Sequence, residues 1–570
     1  MLLGIARLST GSGNPLSREE YSILLPRLLP GALFYGSVGL LLLPRRRWVG
    51  LLVEISRSLR RTIAQGVGAA IRMVRCESRW HLLWLMLIGV IGIALRVLYM
   101  GEPPRYDEAF TYIELAKRSL VHVFAYYPAP NNHILHTALV WISCRIFGNS
   151  LWALRLAAFC AGVALIPLMY VAGRQMCGRD AGLLAAGLMA VSGPFVLYSV
   201  NARGYTFQAV LLLIMLYAAV RIVAGAPNPL AYWVLFSIGA IAGFWIAPSM
   251  LYPYLVAAGF VLWAGGVRLF RPLFFSAAAI GVVVAALYMP VVIISGPDPL
   301  LRNPWIQPLP APEFRVEALR FPSDLARLLH GSDPLPFAAV VVLGAILSFV
   351  FIPRAGKRWA HPLVLLLLVV LILPAVQRVV PFPRVLLPLF TIYYLSAAIG
   401  WCGLARRVLV WRERPAVVVF LALLPFLVFH LIRSGYIQSW REFPDGPAVA
   451  NYLATHLRPS DRLLVTLSAG AELLWELDHA GVLYVQYSMP KSKPGRLVVA
   501  TEYSRVPRVR GNGLIDPSQL TVEGTLREAG VDEAAYTPPR LIFRSGRGEV
   551  FELLPRPATS TAGVQEIYPP

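Results

Sequence analysis

The sequence predicts an all-α polytopic membrane protein with a small C-terminal α/β domain, and three observations carry that prediction. Of 570 residues 57% are hydrophobic and only 14% charged, with a mean hydropathy of +0.62, too little polar surface to cover a soluble globule. Eleven apolar runs, near 82–100, 151–173, 182–199, 206–221, 231–247, 251–267, 273–294, 336–353, 361–377, 384–403 and 415–433, each approach the roughly 20 residues a membrane helix needs. After about residue 435 the pattern changes. Helical spacing at 446–457 and 518–530 alternates with strand-like RLLVTL (462–467), VLYVQYS (482–488) and RLVVATEY (496–503), and 540–554 reads as a hairpin turning at Ser545-Gly546-Arg547-Gly548.

The net charge of +22 resides mostly in short Lys/Arg clusters between the apolar runs, the signature of membrane loops rather than of a nucleic-acid surface. Arg72/Arg75/Arg79, Arg174/Arg179, Arg221, Arg268/Arg271, Arg354/Lys357/Arg358 and Arg406/Arg407/Arg412/Arg414 fall at every second boundary, which the positive-inside rule makes cytoplasmic. The loops 101–150, 199–205, 247–251, 295–335 and 378–384, and everything after about 434, are then expected outside the inner or plasma membrane. This alternation holds only if 131–148 does not cross. Residues 107–124 and 132–147 therefore read as two juxtamembrane helices, the first with Ala109, Ile113, Ala116 and Leu120 as its apolar stripe and Thr111, Glu114 and Arg118 on another side.

Before residue 80, the run 22–43 is long enough to cross but is interrupted by Pro26, Arg27 and Pro30, so an extra membrane helix there stays open, giving 11 or 12 in all. Residues 48–79 read as a basic amphipathic stretch on the cytoplasmic surface, and Arg45-Arg46-Arg47 follows the run where a signal peptide would place a small-residue cleavage site. The expected organisation is an N-terminal region 1–80, a membrane catalytic domain 81–434 and an extracytoplasmic α/β domain 435–570 with a frayed end. The five cysteines are scattered and show neither a disulfide framework nor metal-ligand spacing.

Five polar features gather on the predicted outer side: Asp107-Glu108, Asn131-Asn132-His133 with His136, the Asn201-to-Tyr205 stretch NARGY, Gln377-Arg378, and Pro383-Arg384. Each has an ordinary structural explanation: Asp107 as a helix N-cap, the histidines as interfacial residues, the arginines as snorkelling anchors. Arginines on the side the positive-inside rule disfavours need a reason, and a phosphate headgroup gripped by the guanidinium fork supplies one. Ionisable groups near membrane depth usually line a cavity. A carboxylate that takes a proton from an acceptor hydroxyl, with arginines that stabilise a leaving phosphate, are what glycosyl transfer from a lipid phosphate requires. A single catalytic carboxylate implies inversion, because neighbours on a helix project about 100° apart and Glu108 is poorly placed as a second.

These residues resemble the GT-C superfamily of polyprenyl-phosphate-sugar-dependent glycosyltransferases, of the protein O-mannosyltransferase and lipid A aminoarabinose transferase type. RYDEAFT is similar to its first-loop Asp-Glu motif, the block from NNHILH through NARGYTF to its first helices, and VVPFPRVLLPLF to a later arginine-bearing helix start. The likeness spans roughly 80–400 and departs from the family at NNHILH, where many relatives carry His-Pro or Pro-Pro. It implies a lipid-linked donor, an extracytoplasmic protein, glycan or lipid acceptor, and Asp107 as the acceptor-activating base. Glu108 stands beside it as the second catalytic candidate. Arg203, Arg384 and Arg378, with Tyr205, are the candidate phosphate contacts, and Asn132, His133 and His136 the candidate substrate contacts. Some superfamily members use a divalent metal; one or two carboxylates argue against a tight site here, since hard cations want several oxygen ligands. The alternative is a lipid-carrier transporter or flippase, which should show internal repeats and broken helices.

Overall fold

The computed structural model describes residues 31–37, 45–128, 130–302, 307–351, 361–408, 414–441, 443–466, 469–482, 495–502 and 521–556. Every one of the eleven apolar runs is helical. Among the described residues eight helices are long and apolar enough to cross a membrane: Arg79–Leu98, Leu151–Cys177, Tyr205–Val223, Pro229–Ile246, Pro248–Gly265, Val267–Ile294, Pro383–Val408 and Val417–Trp440. Two more spans arise if each bent pair counts as one: Arg179–Val191 with Gly193–Ser199, bent by 60°, and Ala311–His330 with Leu335–Phe351, bent by 107°. The run at 361–377 yields a helix of only 16 residues, Pro362–Gln377. The chain is an integral membrane protein of mostly helical architecture with a small sheet near its C-terminus.

The bend at Ser192 has a chemical cause and a chemical repair. Pro194 has no N–H, so it cannot donate to the carbonyl of Ala190 four residues back. The fully buried Arg96 donates to that carbonyl at 3.1 Å and to the Gly92 carbonyl at 2.8 Å, while its Nε donates to Ser199 Oγ at 3.0 Å. Arg96 thereby fixes the end of the broken helix from which the turn 200–204 departs. At another end of these helices the expected basic cluster is paired rather than free: Glu77 bridges Arg174 (2.8 Å) and Arg179 (2.7 Å), and His81 Nε2 meets Asp180 at 2.8 Å.

Several expectations need correction. The basic stretch at 48–79 is one helix, Arg45–Arg75, and a new helix begins after Ser78, whose Oγ accepts from the His81 N–H. The single juxtamembrane helix expected over 107–124 is broken: helical turns cover 106–116, and Ser119 caps a separate helix Leu120–Ala125. Over 106–116 the buried residues are Glu108, Ala109, Thr111, Tyr112, Leu115 and Ala116, not the stripe through Ile113 and Leu120, and Thr111, expected on the polar side, is among them. The second juxtamembrane helix, Ile134–Phe147, lies where it was expected. Within 295–335, read as loop, a 20-residue helix Ala311–His330 forms, its helical spacing masked by Pro312, Pro322 and many charges. The run 22–43 is described only over 31–37, and VLYVQYS, apart from Val482, and the last ten residues lie outside the described residues.

The chain forms two compact units, one comprising residues 1–103 and 114–440, the other 104–113 and 441–570. In the second unit, β1 (Arg462–Val465) pairs parallel with β2 (Leu497–Glu502), and β3 (Arg540–Ser545) and β4 (Gly548–Leu553) form the hairpin, giving the order β1-β2-β4-β3. Every residue of β2 is buried, as expected of a central strand covered on both faces. Val498 and Ala500 pack with Leu463, Leu473 and Leu477, while Leu497 and Val499 pack with Leu464, Val522 and Leu526.

Candidate active site

In the first unit, the segments Asn131-Asn132-His133-Ile134-Leu135-His136 and Asn201-Ala202-Arg203-Gly204-Tyr205 are brought together. Arg203 is 3% exposed; its Nη1 donates to the Asn131 carbonyl at 2.6 Å and to Asn131 Oδ1. Gly204 donates its N–H to His133 Nδ1 at 2.9 Å. Only glycine permits this approach, because a Cβ at 204 would come within 2.3 Å of Ile246 and 3.2 Å of both His133 Nδ1 and His136 Cβ. The Tyr205 ring stands edge-on to His133 at 4.9 Å and lies under the Arg203 guanidinium at 5.7 Å.

The electrostatics of this cluster are one-sided. Burial, reinforced by Arg203, His136 and Arg384, holds His133 well below the usual histidine range, and burial with Arg203 lowers His136 to about 3. Both imidazoles are therefore neutral at physiological pH beside two permanent cations. Arg384, half-buried at the start of the 3₁₀ segment Pro383–Leu389, stacks its guanidinium on Phe382 at 4.6 Å, and that segment packs against the helix beginning at Tyr205. Arg378 is different: it is exposed, in the left-handed conformation (φ +52°) that closes helix Pro362–Gln377, and its carbonyl accepts from the Leu309 N–H at 2.9 Å. The charges that bear on His133 are those of Arg203 and Arg384.

The cluster also holds polar atoms that the protein leaves unsatisfied. Among the described residues neither ring nitrogen of the fully buried His136 has a hydrogen-bond partner, nor do Asn132 Oδ1 and Asn201 Oδ1. The Asn132 amide, by contrast, donates to the Val123 and Tyr126 carbonyls at 2.9 and 3.0 Å, which orients its oxygen. Buried groups of this kind are normally paired, so they mark a place for hydroxyls or water. The sequence flagged His133 and His136; Asn131, which grips Arg203, and Asn201 were visible only as members of polar runs.

The carboxylates belong to the second unit. Helix Tyr106–Phe110 has Arg105 as its N-cap residue, so Asp107 is the second helical residue and not the cap that the ordinary reading offered. Glu108 fills the reciprocal role: fully buried, it accepts from the Arg105 N–H at 3.4 Å, as a third-position glutamate does. Asp107 is half-buried, and its carbonyl accepts from Thr111 Oγ1 at 2.8 Å where the helix widens into a π turn, Thr111–Ala116. Such turns are frequent at functional sites. Among the described residues no three His, Cys, Asp or Glu side chains come together as metal ligands.

A fold of membrane helices and a small α/β domain, with a buried arginine beside two neutral histidines, can be set against known proteins. Two crystal structures of ArnT from Cupriavidus metallidurans share this fold with a TM-score of 0.54: the apo form at 12% identity, covering 82% of this chain and 97% of that one, and the form bound to undecaprenyl phosphate at 14%, covering 82% and 98%. The profile of the dolichyl-phosphate-mannose-protein mannosyltransferase family matches residues 131–294, the stretch that begins at Asn131 and contains Arg203. The chain thus shares the fold of these ArnT structures, and its stretch 131–294 is similar to the mannosyltransferase family. No curated protein sequence matches it.

Proposed function

We propose that this protein transfers a sugar from a polyprenyl-phosphate-linked donor to a hydroxyl-bearing acceptor outside the cytoplasm. The observation that carries the reading is buried Arg203, held by Asn131 beside His133, with the segment that bears Arg384 packed against the helix beginning at Tyr205: a cationic site whose histidines do not add charge suits a phosphate anion. In this reading the arginines hold the donor phosphate, Tyr205 supports Arg203, and Asn132, His133 and His136 meet the sugar hydroxyls. Asp107 takes the acceptor proton, the acceptor oxygen bonds to the anomeric carbon, and the bond from that carbon to the phosphate oxygen breaks, releasing polyprenyl phosphate with inversion. Glu108 holds the helix that bears Asp107. The basic loops set the orientation, with the site and the α/β domain outside.

The test is mass spectrometry of products from membranes containing the full chain and supplied with a panel of polyprenyl-phosphate sugars. Transfer from one donor supports the reading; no transfer from any, by folded protein, overturns it. Cysteine labelling checks the orientation, with 101–150 reachable from outside and 174–180 only from inside. The transporter alternative asks for broken helices; of the two bent pairs, the one within an apolar run breaks at Ser192. Its Arg96, however, is occupied by carbonyls and Ser199, so that break is a structural device.

A further inference from the structure

The helix Tyr106–Phe110 has five residues, too few to persist alone, because helix nucleation is costly and short helices depend on packing. What it packs against lies far along the sequence. Tyr112, fully buried, sets its ring edge-on to Trp475 at 4.7 Å, and Trp475 is itself 2% exposed. Tyr106 covers Gly470, the first residue of helix Gly470–His479, so closely that a Cβ there would lie 2.6 Å from the ring. The His479 ring stacks on Trp475 at 4.1 Å, with its Nδ1 2.9 Å from the Trp475 carbonyl. The buried indole thus has ring contacts with both Tyr112 and His479.

The place of this contact in the α/β unit is also informative. Gly470 lies a short way beyond the end of β1 at Val465: its N–H and that of Ala469 donate to the Thr466 carbonyl at 2.9 and 3.2 Å, and Thr466 Oγ1 donates to Thr501 Oγ1 on β2 at 3.1 Å. Helix Tyr106–Phe110 is thus seated at the carboxyl end of the two parallel strands, the edge at which open α/β sheets place functional groups.

We infer that the C-terminal α/β unit positions the catalytic carboxylate, with Trp475 as the positioning residue that fixes helix Tyr106–Phe110 through Tyr112. The inference rests on the reading of Asp107 as the base and assigns the unit a task beyond contact with the acceptor. Trp475 acts on the orientation of Asp107, so its loss affects turnover while the lipid phosphate site on the other unit keeps its own residues.

The experiment uses the full chain in membranes, with the donor that the product screen returns. Trp475→Ala should lower kcat at least tenfold with KM for the donor within about twofold, Trp475→Phe should restore most of the turnover, and hydrogen exchange over 104–113 should quicken in Trp475→Ala alone. Folded Trp475→Ala protein with unchanged kcat, or with unchanged protection of 104–113, overturns the proposal. So does a loss of donor affinity equal to the loss of turnover. Asp107→Asn run in parallel separates the two claims: if it is silent, the base reading fails, and if it is inactive while Trp475→Ala is normal, only the positioning role fails.

Discussion

The cationic cluster and the carboxylate helix are built in opposite ways. Around Arg203 the functional side chains are buried, joined by direct hydrogen bonds between two short polar segments, and left with unsatisfied atoms such as both nitrogens of His136. Around Asp107 the group proposed to do chemistry is half-buried, and burial falls instead on its supports, Glu108, Tyr112 and Trp475. The difference suits the two tasks. A phosphate site gains from a low-dielectric setting in which a fixed charge acts strongly, whereas a general base must stay ionised and reach a proton that arrives with the acceptor.

Removing the base should have the largest effect. Asp107→Asn preserves shape but not basicity, so turnover should fall by roughly 10²–10⁴-fold while the donor still binds. Because Arg105 and not Asp107 is the N-cap residue, capping gives no reason for the variant to be inactive; near-normal transfer by folded protein would end the catalytic claim.

Next in size is the cationic cluster. Arg203→Ala should lower kcat/KM for the lipid donor by about 10- to 150-fold, the equivalent of a charge-assisted hydrogen bond worth about 1.5–3 kcal/mol, and Arg203→Lys should recover part of it by keeping the charge without the fork. Unchanged donor kinetics in both variants would return Arg203 to a structural anchor of Asn131. Arg378→Ala, at an exposed helix end, should change little in the same assay.

Smaller effects separate support from chemistry. Glu108→Gln keeps an oxygen for the Arg105 N–H and should cost only a few-fold in turnover, whereas Glu108→Ala removes the acceptor and should destabilise the helix by about 1 kcal/mol, read as faster hydrogen exchange over 104–113. Equal losses in Glu108→Gln and Asp107→Asn would make the pair a joint catalytic unit.

The histidines give a pH signature. His136 falls from its ordinary value of 6.5 to about 3 in the folded protein, so its favourable contribution is complete above about 6.5 and is lost as the pH falls towards 3. One such proton changes stability by up to about 1.4 kcal/mol per pH unit, and His136→Gln should flatten the acid side of the melting-temperature profile. An identical profile in the variant would show that the imidazole does not sit buried and neutral.

The sequence by itself determined the membrane class, the helical runs, the α/β character of the last quarter and most candidate site residues. Apolar length and strand alternation are local properties, and an ionisable side chain near an apolar run is conspicuous wherever it lies. Tertiary structure decided everything that depends on partners distant in the chain. No spacing rule joins Tyr112 to Trp475, Arg96 to the Ala190 carbonyl freed by Pro194, or Asn131 to Arg203. It also separated two adjacent carboxylates: one reading of the sequence made Asp107 a cap, whereas the N-cap is Arg105, two residues earlier, and Glu108 is the buried acceptor that supports the helix. Which of two neighbouring acids is buried depends on where a helix starts relative to the surface it packs on, and that surface is supplied by residues 470–479.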